Sequence, residues 1–130
     1  EATPAKKAQQ KLEKEFEKRD QDLQRIAKQL QGMQEALEKN TMTMGEGERR
    51  NKEREFNDLN REFQRKQREF REDLNQRRNE ELAGVLERAN KTIKQIAEAD
   101  KYDIIFQEAV YASPRIDITD KVIKALSEAK

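Results

Sequence analysis

Cysteine and histidine are both missing from this chain of 130 residues. Without cysteine there is no disulfide and no thiol catalysis, and the lack is compatible with either a reducing or an oxidising compartment. No glycine-rich phosphate loop and no acidic cluster at metal-ligand spacing takes the place of these residues. Carboxylates are plentiful, but they are dispersed over wet helical faces where nothing would raise a pKa for acid or base chemistry. The expectation is a protein that is not an enzyme, with no metal and no cofactor.

Apolar residues are also scarce, at 33% against 42% charged, which rules out a large globular core. No run approaches the roughly 18 to 20 apolar residues that a membrane-spanning helix needs. Charge of one sign is lacking too: 28 basic residues face 27 acidic ones, a net charge of +1, so no overall field favours nucleic acid. Such low hydrophobicity would suit a disordered chain. Against that, apolar residues recur at helical spacing, and both prolines fall outside the long periodic runs. The chain opens at Glu1 without an initiator methionine, and the expectation is that a leader preceded it.

What is present is a heptad seam. Leu12, Phe16, Leu23, Ile26, Leu30, Met33 and Leu37 alternate steps of three and four, with Arg19 in the one slot that lacks an apolar residue. The periodicity stops between Asn40 and Gly47, where two glycines and a Thr43/Glu46 capping-box spacing predict a turn. A second run carries Phe56, Leu59, Phe63, Phe70, Leu74, Leu82, Val85, Leu86, Ala89, Ile93 and Ile96, with a slip in the heptad near Arg78. Folding the two runs back about Thr43 and Met44 sets Leu30 opposite Phe56, Leu23 opposite Phe63 and Phe16 near Phe70. Nothing forced the two seams into one register, so their agreement predicts an antiparallel coiled-coil hairpin whose arms reach roughly 50 Å.

Beyond the hairpin, Tyr102, Ile104, Ile105 and Phe106 begin a β-branched and aromatic run, and residues 109–112 form a second short one around Val110. Asp117 then suits the N-cap of a last amphipathic helix with Val122, Ile123 and Leu126 on its apolar side. The predicted fold is therefore mainly α: a hairpin over 11–99, with its tip near 40–47 and its second helix reaching the base at 82–99, and a small strand-and-helix base over 100–130. Two short strands and one short helix bury too little area alone, so the base is expected to oligomerise through Ile104, Ile105, Phe106 and Val110.

Three features together, Leu12 to Phe16 entering a hairpin, Phe70 to Glu81 on the return helix, and the Tyr102 to Asp120 tail, resemble the Skp/OmpH family. The resemblance implies an ATP-independent periplasmic holdase chaperone. It further implies a homotrimer whose helical arms hang as tentacles around a cavity in which unfolded outer-membrane β-barrel proteins are kept from aggregating. The family's first strand is absent here, so residues 1–10 read as a segment that would follow it. A structural coiled-coil spacer or adaptor is the alternative.

Two sets of residues are candidates for function on the arms. Met33, Leu37, Met42 and Met44 lack apolar partners across the hairpin, and flexible, polarizable methionine suits a promiscuous client-binding surface. The bland alternative is that these four cover one another and close the hairpin. Lys66 and Arg77 lie three helical turns apart, about 16 Å, with Arg78 alongside. These three resemble the family's lipopolysaccharide-binding patch, displaced by about one residue, and so suggest an anionic lipid partner. Ordinary solvated ion pairs are the alternative there.

Overall fold

A computed structural model describes residues 3–128 of the chain. It contains three helices, α1 (Thr3–Lys39), α2 (Glu46–Asp100) and α3 (Thr119–Glu128). The chain divides into two compact units, one made of residues 13–76 and the other of the residues up to Leu12 together with those from Arg77 onward.

The first unit is an antiparallel helical hairpin. Its seam is the predicted one: Phe16, Ile26 and Leu30 are buried, with Ile26 only 3% exposed. Phe16 meets Phe70 edge to face, with ring centroids 5.5 Å apart, which is the pairing the matched seams require. The polar slot at Arg19 is filled rather than empty. Its guanidinium lies 5.3 Å from the Phe16 ring centre and 5.8 Å from that of Phe70, and its Nη2 reaches Asp73 at 3.0 Å. Arginine's flat, weakly hydrated fork can cover both rings and still keep its charge paired, so the seam continues through a charged residue.

The turn falls where both seams stop, but it is built differently from the prediction. Residues 40–45 connect the helices, and Gly47 already lies in the first turn of α2. Neither tip glycine adopts positive φ. Instead the Asn40 carbonyl accepts the backbone N–H of Thr43 and of Met44, at 3.1 and 3.0 Å. The Thr43 hydroxyl also donates to Asn40 O (3.2 Å), so it turns back within the connection rather than forward to α2. It therefore does not form the expected capping box with Glu46. The sequence reading missed Thr41, whose hydroxyl donates to the carbonyls of Leu37 (2.5 Å) and Glu38 (3.2 Å), two of the groups that a helix end leaves unsatisfied.

In the second unit, residues 3–10 are helical and belong to α1, so this helix starts before its apolar seam does. Ile96 and Leu126 supply the buried apolar groups beside Leu12, while Leu82 and Leu86 stay about half exposed. Asp117 Oδ1 accepts the backbone N–H of Thr119 at 2.9 Å, two residues on, and the Thr119 hydroxyl. It therefore acts as an Asx turn just ahead of α3, while the Ile118 carbonyl accepts the first helical bond, from Val122 at 3.0 Å.

The two short strands expected over 102–107 and 109–112 do not form; no strand occurs among the described residues. β propensity acts through packing against neighbouring strands, and this segment has no partner strand among the described residues. Its apolar groups accordingly face outward: Ile104, Phe106, Val110 and Tyr111 are exposed.

The helix α2 ends in a Schellman motif. The Tyr102 N–H donates to Ala97 O at 2.9 Å across Lys101, which carries φ of 61°. Left-handed backbone costs a side-chain-bearing residue about 1–2 kcal/mol, so Lys101→Gly should raise stability by about 1 kcal/mol. A thermal or urea melt of the variant checks this, and an unchanged or lower midpoint would show that Lys101 carries no such strain.

Candidate functional site

The tip is the apolar surface singled out by the sequence, and its members are exposed to different degrees. Met42 is 99% exposed, whereas Met33, Leu37 and Met44 are half-buried. The idea that all four cover one another therefore fails for Met42, which stands clear of the hairpin. Thr41 and Thr43 on either side of Met42 turn their hydroxyls to backbone carbonyls, so the tip backbone is tied down while the Met42 side chain is displayed.

The basic candidates sit among carboxylates. In the hairpin unit, Lys66 Nζ bonds Asp22 at 3.3 Å and lies 3.4 Å from Glu62, with its side chain one-third exposed. In the other unit, Arg77 bonds Glu80 at 2.8 Å and Glu81 at 2.9 Å, and Glu81 also takes Lys11 at 3.1 Å. Arg78 is exposed. An anion arriving at Lys66 or Arg77 must first displace a carboxylate already held there. The sequence reading did not single out the cross-hairpin pair of Lys66 and Asp22, because the register it gave places the backbones but not the reach of each polar side chain.

These pairs set the charge state of the surface. The Arg25 and Lys66 side chains, by hydrogen bonding to it, hold the Asp22 carboxyl below the usual carboxylate range. Lys11, then Arg77, do the same for Glu81, and Thr119 does so for Asp117. A carboxylate whose pKa is lower in the folded state stabilises the fold above its ordinary pKa. That contribution is lost as pH falls through the folded value. Helix content followed by circular dichroism should therefore decline on the acid side of the ordinary carboxylate range. An acid titration that leaves stability flat there would show that the pairs contribute nothing. Lys121, raised through its bond to Asp100, acts in the opposite sense and loses its contribution only at strongly alkaline pH.

The base candidates Ile104, Phe106 and Val110 are 68%, 76% and 110% exposed, and Ile105 is half-buried. Among the described residues no group of His, Cys, Asp and Glu is arranged to hold a metal, and no helix is long and apolar enough to cross a membrane.

Comparison with known proteins agrees with this architecture. Residues 1–126 match the family described as outer membrane protein (OmpH-like). A chaperone protein Skp from Photorhabdus luminescens is 35% identical over 124 residues, covering 93% of this chain and 75% of the relative. Another from Pectobacterium atrosepticum is 29% identical over 115 residues, covering 87% of this chain and 70% of the relative. A third, from Photorhabdus laumondii, is 34% identical over 124 residues. No solved structure matches the chain. With a match across nearly every residue and a long helical hairpin closed in the predicted register, the chain belongs to the Skp/OmpH family.

Proposed function

We propose that this protein is an ATP-independent holdase of the periplasm that keeps unfolded outer-membrane β-barrel proteins from aggregating. The observation that carries the reading is the displayed tip: an apolar, methionine-bearing end on a hairpin whose remaining surface is charged and internally paired. Weak apolar contacts from Met33, Leu37, Met42 and Met44 engage exposed client strands, and the charged arms keep the complex dispersed. The chaperone relatives support the same reading. In this proposal the exposed apolar segment at Ile104 to Val110 joins copies of the chain, and the assembly is a homotrimer with a cavity between its arms.

An anionic lipid or lipopolysaccharide enters the proposal most directly at exposed Arg78. At Lys66 and Arg77 it must exchange with Asp22, Glu62, Glu80 or Glu81.

The test is dilution of a urea-unfolded outer-membrane β-barrel protein into buffer with and without this protein, without nucleotide, followed by light scattering. The parent should suppress aggregation. Changing the four tip residues to Ser should weaken that protection in part, while the native mass stays the same. A parent that gives no protection would instead favour the spacer or adaptor.

A further inference from the structure

The chain has three methionines and no cysteine, and the methionines, Met33, Met42 and Met44, all fall at or beside the hairpin tip. They carry all the sulfur of these 130 residues, and they are unequally accessible. Met42 is 99% exposed, while Met33 and Met44 are half-buried. A thioether reacts with two-electron oxidants according to its access to solvent, and the product exchanges an apolar side chain for a polar, hydrogen-bond-accepting one. We propose that Met42 is a reversible oxidation site, and that its conversion to the sulfoxide by peroxide-class oxidants turns down client binding at the tip.

This inference rests on reading the tip as the client-contact surface. In the step itself the Met42 sulfur attacks one peroxide oxygen, the O–O bond breaks and an S–O bond forms. Sulfur gives up two electrons, and hydrogen peroxide is reduced to water. A methionine sulfoxide reductase returns the sulfoxide to the thioether with two electrons from an added dithiol, which is oxidised to a disulfide while the oxygen leaves as water.

The geometry separates this modification from damage to the fold. Met42 fills no packed space, and the tip is closed by the Asn40 carbonyl and the Thr41 and Thr43 hydroxyls, none of which involves sulfur. Oxidation there leaves the seam at Ile26 and Leu30 untouched. What changes is the surface offered to a client. Met-rich binding surfaces work because the thioether is soft and adaptable, and the sulfoxide is neither.

The experiment uses the full chain treated with graded hydrogen peroxide, quenched with catalase before client is added. Peptide mass spectrometry should show Met42 gaining one oxygen several-fold faster than Met33 or Met44. The thermal melt should not move, and protection of an unfolded β-barrel protein should fall several-fold. Methionine sulfoxide reductase should restore that protection. The Met42→Leu variant, compared with its own untreated sample, should lose no protection on treatment. Oxidation of Met42 no faster than Met33 would overturn the proposal. Equal peroxide sensitivity in Met42→Leu would overturn it as well. If the untreated four-serine tip variant protects as well as the parent, the client-contact reading falls and this inference with it. If that variant is impaired but oxidised parent is not, only the oxidation proposal fails.

Discussion

Replacing Phe106 with Asp should convert the proposed homotrimer into single chains, seen as a fall in native mass by light scattering or mass spectrometry from three copies to one. Phe106 is 76% exposed in the single chain, so nothing within the chain needs it for packing. Burying such a ring between copies contributes about 1.5–3 kcal/mol, and placing an unpaired carboxylate there instead costs several kcal/mol in each copy. Because the helices do not lean on Phe106, circular dichroism should show their content preserved. An unchanged mass would mean that the exposed segment from Ile104 to Val110 is not the self-association surface.

The second large effect is expected at Ile26, the most buried of the core residues at 3% exposed. Ile26→Ala should lower unfolding stability by about 2–5 kcal/mol, through lost apolar burial and the cavity left in a narrow seam. Denaturant unfolding monitored by helix signal measures this directly. A loss below about 1 kcal/mol would show that the hairpin closes around the smaller side chain, since the size of such losses depends on how far a site collapses. Two helices offer few neighbours to fill the gap.

The turn and the register were legible because both depend on patterns that physics makes local. The seam stops on both sides of residues 40–47, and Phe16 falls opposite Phe70 once the two runs are folded about that point. The details that escaped the sequence are those in which one polar side chain chooses among several partners. Thr41 bonds backward to α1 and Thr43 to Asn40 just beyond it, which no spacing rule distinguishes from a cap facing forward. Arg19 reads as a gap in the seam until its guanidinium is seen covering the paired rings of Phe16 and Phe70, although a phenylalanine three residues before it was a usable signal. The strands around Ile105 and Val110 failed for a different reason: a ladder needs another backbone, and one chain does not supply it. At the candidate site, the sequence marked Met42 and its neighbours as unpartnered but could not rank their exposure. Ion pairs were the alternative it offered for Lys66 and Arg77, and the pairs with Glu62 and Glu81 fall at the four-residue spacing such pairs take along a helix.

The short connection between Lys39 and Glu46 also governs how quickly the hairpin can assemble. Its closure brings together groups only a few residues apart, and each further pair along the arms lengthens the loop by small steps, through Lys66 and Asp22, 44 residues apart in sequence, to the pair of Phe16 and Phe70. Loop-closure entropy rises only logarithmically with length, so no single step in this progression meets a large barrier. Such an order of contacts is the zipper-like route open to chains of low contact order, which fold in microseconds to milliseconds. A hairpin built this way can fray from its far end and reclose without losing the tip.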